Sequence, residues 1–236
     1  MTARPEFALA VRDTAPLLLA LMPFGVVFGA LSVDSGLSVV ETLGFSMIVY
    51  AGTAQFVALQ LIAVSAPLWS ILLAVFALNF RHVLYSASLG RQFTRFTMGQ
   101  KAAAFFVLVD PLFALGETRA AERELTRTYY FTSGLVLYLG WQIATLAGAI
   151  FGGLITDQRA VGLDLALPVY FLAQTLAFRA RPGFLAAAGA AAITAIPAYL
   201  FLGTPWHVTI GGVTGIAVAA MLPPRQADPA PVEATP

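Results

Sequence analysis

Cysteine is missing from all 236 residues, histidine occurs twice, and lysine only once, as Lys101, among 13 basic side chains. Without cysteine there is no disulfide framework, no thiolate zinc site and no iron–sulfur cluster. His82 and His207 lie far apart in sequence and suggest no metal pair. Charged residues are scarce as well, at 11%, where a soluble domain carries about 25%. Too few polar groups remain to cover a water-facing surface. No basic block of the kind that holds nucleic acid is present. Neither HExxH, GxSxG nor a Walker loop occurs, so the expectation is no catalytic set, no metal and no cofactor. What the chain has in excess is hydrocarbon: 59% of its residues are apolar and its mean hydropathy is +0.82. Those values describe a polytopic membrane protein whose solvent is the lipid bilayer.

A crossing needs about 20 apolar residues. Segments of that character fall at 14–33, 39–64, 67–89, 101–115, 130–155, 161–178, 184–202 and 208–222. The second is overlong; the fourth is short and contains Asp110-Pro111. Orientation follows Lys and Arg near the span ends. Arg179, Arg181 and Arg225 put connector 179–183 and the C-terminus in the cytoplasm, and connector 119–127 joins them. Arg91, Arg95 and Lys101 then fall outside if every segment crosses. Either the fourth segment is re-entrant or broken, giving seven crossings and an external N-terminus, or eight crossings stand with one exception to the rule. An internal echo, Phe28-Gly29-Ala30-Leu31-Ser32-Val33-Asp34 against Phe151-Gly152-Gly153-Leu154-Ile155-Thr156-Asp157, makes an inverted pair in the first case and a parallel pair in the second. The expected fold is therefore all-α and polytopic, with seven or eight transmembrane helices, some broken or re-entrant, and two internal repeats as an open alternative. Residues 1–222 form a single transmembrane domain, and 223–236 a disordered Pro/Ala-rich tail.

Charge inside a spanning helix costs roughly 2.5–3.5 kcal/mol on insertion scales, so each instance needs a reason. Arg81 and Asp110 lie deepest. Asn79, His82, Tyr85 and Ser86 accompany Arg81 within two helical turns, either as an interfacial arginine with an aromatic belt or as the polar lining of a substrate path. At Asp110-Pro111 the proline frees a backbone carbonyl. The adjacent carboxylate then binds a cation or a proton, counters Arg81, or simply sits solvated at a helix end. Tyr50-Ala51-Gly52-Thr53-Ala54-Gln55 interrupts the second segment. It either packs helices through small residues or unwinds to offer backbone groups to a zwitterion. Pro23 and Gly25 are expected to loosen the first span, while Asp164 and Gln174 read as a cap and a packing amide.

Taken together, Pro23-Phe24-Gly25 through Phe28-Gly29, Tyr50-Ala51-Gly52-Thr53-Ala54-Gln55-Phe56, and Asn79-Phe80-Arg81-His82-Val83-Leu84-Tyr85-Ser86 resemble the AzlC family, the large subunit of branched-chain amino acid exporters. Gly162-Leu163-Asp164, followed by an apolar run to Pro168, resembles the family's second-half landmark. The likeness covers nearly the whole chain except the tail from about Pro223, and departs at Thr53, where small Ala or Ser is common. It implies a secondary carrier of the bacterial cytoplasmic (inner) membrane, exporting Leu, Ile and Val, with Met as a further candidate. It also implies drive by the proton motive force and a small AzlD-type membrane subunit as partner.

Within that frame Tyr50, Gly52, Thr53, Gln55, Asn79, Arg81 and Tyr85 are the expected substrate-binding residues. His82 and Asp110 are the expected proton carriers, and Pro23, Gly25 and Pro111 the helix breaks. Arg81 meets either the substrate carboxylate or Asp110. Two rival readings remain. One is a channel or non-transporting assembly subunit; the less favoured is an intramembrane enzyme with His82 and Asp110 as acid and base.

Overall fold

The computed structural model describes residues 3–152, 169, 172, 175–176, 179, 183–202 and 206–222, and no strand occurs among them. The chain divides into two compact units, Met1–Phe171 and Leu172–Pro236. Four helical stretches are long and apolar enough to cross a membrane: Pro5–Asp34, Leu68–Gln92, Arg127–Phe151 and Phe184–Leu202. Large apolar side chains point away from the protein along them, Phe76 of the second at 68% exposure and Phe201 of the fourth at 85%. A surface of this kind is made for hydrocarbon or for another apolar surface, not for water.

In the first unit the longest helices, α1 (Ala3–Asp34) and α8 (Arg127–Phe151), run parallel and in close contact. Thr126, just before α8, meets Glu6 near the start of α1; Gly140 meets Leu18, Gly25 meets Ala144, and Gly152 meets Ala30. Small residues recur every fourth position along α8, at Gly140, Ala144, Gly148 and Gly152, facing Gly25 and Gly29 of α1. This spacing lets two backbones touch in a bilayer, where van der Waals contact replaces the hydrophobic effect as the adhesive. A Cβ at Gly29 would strike the Thr145 carbonyl, and one at Gly148 the Val26 carbonyl. The expectation for Pro23 and Gly25 is corrected here: α1 is unbroken, with Pro16 and Pro23 inside it, and Gly25 serves contact with Trp141 and Ala144. Packing along α8 holds the helix through its proline sites, as neighbouring helices do in membranes.

The overlong second segment resolves into two short helices, α2 (Val39–Ile48) and α3 (Gly52–Ala63), separated at 49–51. At 10 and 12 residues, they rise only about 15 and 18 Å, half a bilayer each. Contacts fix their directions. Ser46 touches Thr145 and Met47 touches Tyr138, so α2 descends α8 from its C-terminal end. Thr53 at the start of α3 meets Arg81, while 64–67 joins the end of α3 directly to the start of α4 (Leu68–Asn79). The segment thus enters and returns on the same side.

After α4, a single turn at Phe80 leads into α5 (Arg81–Leu89) and a 3-10 turn, Gly90–Gln92. The short fourth segment is a second hairpin: α6 (Met98–Phe106), an interruption at 107–109, and α7 (Asp110–Glu122). Both its ends lie beside the start of α1, because Arg119 pairs with Glu6, and Arg95 with Glu124. The two hairpins are built alike. Each first helix opens on a capping box, Ser38 with Glu41 and Thr97 with Gln100, and each second helix starts without a side-chain cap. The first unit therefore reads helix, hairpin, helix, hairpin, helix, with the hairpins inserted from opposite ends.

In the second unit α9 (Phe184–Leu202) and α10 (Trp206–Met221) pack together, with Gly211 against Ala191 and Ala195, and Gly215 against Ala187 and Ala191. Asp164, Gln174, the tail and residues 153–157 of the internal echo lie outside the described residues. The helices that carry the two halves of that echo, α1 and α8, run in the same direction as far as Ala30 and Gly152.

Candidate functional site

Helix interruptions inside hydrocarbon leave backbone N–H and C=O groups that need partners or water. Those at 49–51 and 107–109 converge with the turn at Phe80. A cavity of about 300 Å³ lies where they meet, lined by Tyr50, Ala51, Asn79 and His82 together with Ile48, Val49, Val75, Phe105, Phe106 and Leu108. Its size is at the small end of ligand pockets, about 300–1,000 Å³. Most of the lining is apolar, and Tyr50, Asn79 and His82 bring a phenol, an amide and an imidazole to it. The Asn79 Oδ1 is buried with no partner among the described residues. His82 donates from Nδ1 to the Asn79 carbonyl at 3.0 Å, so its other ring nitrogen is an acceptor in the neutral form.

Beside this cavity a polar node ties three elements together. Arg81 on α5 reaches Asp110 on α7, with Nη1 to Oδ2 at 3.0 Å, and donates from Nη2 to the hydroxyl of Thr53 on α3 at 2.5 Å. Tyr85 donates to the other Asp110 oxygen at 2.8 Å, its ring stacked on Phe113 with centroids 4.2 Å apart. The Arg81 and Asp110 side chains are 28% and 35% exposed, half-screened rather than sealed. Arg81 Nε is buried and unpartnered among the described residues. Arg81 thus meets Asp110, one of the two partners that the sequence leaves open to it.

Gln55 sits elsewhere. Fully buried, it donates to the Val49 carbonyl at 2.5 Å and to the Ser46 carbonyl at 3.3 Å, and accepts from Trp141 Nε1 at 3.2 Å. It closes the interruption from behind, joining the last turn of α2 to the first of α3, and does not line the cavity. Gly52 and Thr53 form the opening turn of α3, where no side chain caps the first backbone N–H groups. Asp110 and Pro111 play the corresponding part in α7, with Pro111 where a missing N–H costs nothing. Tyr50, Asn79 and His82 therefore face the cavity, while Thr53, Arg81, Tyr85 and Asp110 form the adjoining node.

The profile of the family described as AzlC protein matches residues 16–155, more than half of the chain. The chain belongs to the AzlC family. Inner membrane protein YgaZ of Escherichia coli (strain K12) is 30% identical over 214 residues, covering 88% of this chain and 87% of that protein. Branched-chain amino acid transport protein AzlC of Bacillus subtilis (strain 168) is 23% identical over 167 residues, 70% of this chain and 65% of that protein. An uncharacterized membrane protein of Helicobacter pylori (strain ATCC 700392 / 26695) is 27% identical over 174 residues, 71% of this chain and 75% of that one. No solved structure matches the chain. As a member of this family the chain is a membrane protein, its described residues fold as helices without strands, and the matched region contains both hairpins and the cavity between them.

Sequence reasoning missed one ionic site of this AzlC-family chain. Arg119, read as part of a connector, lies on α7, 8% exposed, and donates to Glu6 at 2.7 Å. Thr126 donates to the other Glu6 oxygen at 2.8 Å, and the Arg119 guanidinium lies 4.7 Å from the Tyr129 ring centre. The signal was a charge of each sign near a helix end, which is also what solvated ends look like.

Proposed function

We propose that this chain is the large subunit of a secondary transporter that exports branched-chain amino acids, Leu, Ile and Val with Met at the edge of the range. The observation that carries the reading is the cavity between the two hairpin tips with the polar node beside it, because together they offer the three recognition elements such a substrate needs. The buried, unpartnered Asn79 Oδ1 is an acceptor for the ammonium group. The uncapped start of α3 and the free Nε of Arg81 are donors for the carboxylate. Val75, Phe105, Phe106 and Leu108 form an apolar wall for the side chain. Such walls separate substrates differing by one methylene by only about 1–3 kcal/mol, which fits a broad aliphatic range. The name of the Bacillus subtilis relative, a branched-chain amino acid transport protein, points the same way.

Coupling follows from the node. With Asp110 ionised, Arg81 is held between Asp110 and Thr53; with Asp110 protonated, Arg81 is released towards the substrate carboxylate, and His82 relays the proton between cavity and node. Proton motive force drives the cycle. The small AzlD-type subunit covers the apolar flank of α4, where Leu68, Trp69, Leu72 and Phe76 lie exposed.

The proposed topology puts the start of α1 in the cytoplasm, because Arg91, Arg95, Arg119, Arg123 and Arg127 gather at that end of the unit. α1, α4 with α5, and α8 cross, and the hairpins re-enter from opposite faces as an inverted pair. Beyond α8 the sequence holds three further apolar segments, at 161–178, 184–202 and 208–222, and three crossings there would keep Arg179, Arg181 and Arg225 inside. No connector then breaks the charge rule, since Arg91, Arg95 and Lys101 stand on the cytoplasmic side.

The test is internal valine after loading cells with a valine-containing dipeptide. Cells expressing this chain with its small partner are expected to clear valine faster than cells expressing the partner alone. Equal clearance removes the exporter reading, and clearance that neither saturates nor follows the pH gradient favours a channel.

A further inference from the structure

A second cavity, of about 450 Å³, opens at the end of the first unit where α1 begins. Its lining is cationic: Arg95, Arg119, Arg123 and Arg127 face it, against only Glu6 and Glu124. The carboxylates are already engaged. Glu6 is held by Arg119 and the Thr126 hydroxyl, and Glu124 pairs with Arg95 at 3.0 Å on the surface. Among the described residues, neither Arg123 nor Arg127 forms an ion pair, although both are exposed beside the opening. Deeper in, Arg119 is more than nine-tenths buried and its Nε has no hydrogen-bond partner among the described residues. A buried guanidinium N–H without an acceptor is a standing cost, and an anion in the cavity removes it once the Arg119 side chain turns to meet its oxygens.

We propose that this pocket is a binding site for a phosphate-bearing anion, distinct from the cavity at the hairpin tips. Arg119 supplies a buried donor, and Arg123 and Arg127 close on the anion from the rim. Planar guanidinium groups match tetrahedral phosphate oxygens in pairs, and they stay charged at every relevant pH. The arginines come from the connector between α7 and α8 and the turns flanking it, so an occupant would tie hairpin and helix together at their cytoplasmic ends. Two sources share this chemistry: the headgroup of an anionic phospholipid, and free phosphate or a soluble phosphate ester.

The test uses the full-length protein in nanodiscs of phosphatidylcholine, with and without phosphatidylglycerol, and separately titrates inorganic phosphate in the phosphatidylcholine discs. Thermal stability and native mass spectrometry report binding. The wild type is expected to be stabilised and to retain bound anion. Arg123→Gln and Arg127→Gln should each weaken binding about five-fold; Arg123 is exposed and its change should leave stability in phosphatidylcholine alone unaltered, whereas Arg127 also lies 5.7 Å from the Phe96 ring centre and its change loses that contact. Response to phosphatidylglycerol but not to phosphate assigns the lipid; response to phosphate assigns the soluble anion. Absence of both responses in the wild type overturns the proposal, as does equal binding by the Arg123→Gln/Arg127→Gln double variant.

Discussion

Arg81 illustrates what a cation at lipid depth requires. Its two terminal nitrogens are held by a carboxylate and a hydroxyl that belong to two different hairpins, and each hydrogen bond involving a charged group contributes about 1.5–3 kcal/mol. The same bonds make the arginine sensitive to the protonation of Asp110. Replacing Asp110→Asn fixes the node in the state where Arg81 faces a neutral partner. Leucine counterflow in proteoliposomes should survive, whereas accumulation driven by a pH gradient should fall to simple equilibration; accumulation at the wild-type level would remove Asp110 from the coupling path. Arg81 and Asp110 were legible in the sequence because each stands in an otherwise apolar run, where any charge calls for a physical reason. Glu6 and Arg119 were not, since they stand near helix ends, where charges are ordinarily solvated, and 113 positions separate them. Gln55 was legible as a buried polar group, but not its direction: rotation about α3 decides between facing the cavity and bracing the break, and only the Trp141 and Val49 contacts fix it.

At the scale of elements, the breaks were easier to read than the path of the chain. Residues 39–64 are too long for one crossing and contain a small, polar interruption, which marks a broken helix. Whether the second half continues or turns back depends on contacts with α4 and α8, and local pattern carries no record of these. The paired capping boxes at Ser38 and Thr97 were the usable signal, since each marks a helix start where an unbroken apolar segment needs none. Conversely, Pro23 read as a break and is not one, because a long seam with α8 outweighs one missing hydrogen bond. That seam is testable. Gly148→Val sets a side chain against the backbone carbonyl of Val26, with no flexible neighbour to yield. Overpacking of this kind costs about 1–3 kcal/mol or more, and should lower the melting temperature in detergent by at least about 2 °C. Gly212→Val, which has open space around it, should change it little; equal effects would mean that the α1–α8 contact is not close.

For the whole molecule, two hairpins inserted from opposite ends meet at one cavity, and the proposed transport cycle uses one tip to close each side. The absence of cysteine makes this arrangement directly measurable. Single cysteines at Ser35→Cys and Ser65→Cys should be labelled from the same, external side by an impermeant maleimide, and Thr94→Cys and Glu122→Cys only from inside. Labelling of positions 35 and 65 from opposite sides would replace the first hairpin with a crossing. The claim on which everything else rests is that substrate occupies the cavity between the tips. Val75→Cys places a small thiol on its apolar wall. With the partner subunit present, leucine at ten times its Kd should slow modification by N-ethylmaleimide about ten-fold, with no effect at Thr94→Cys. If leucine leaves the rate at position 75 unchanged in a preparation that transports it, the substrate binds elsewhere.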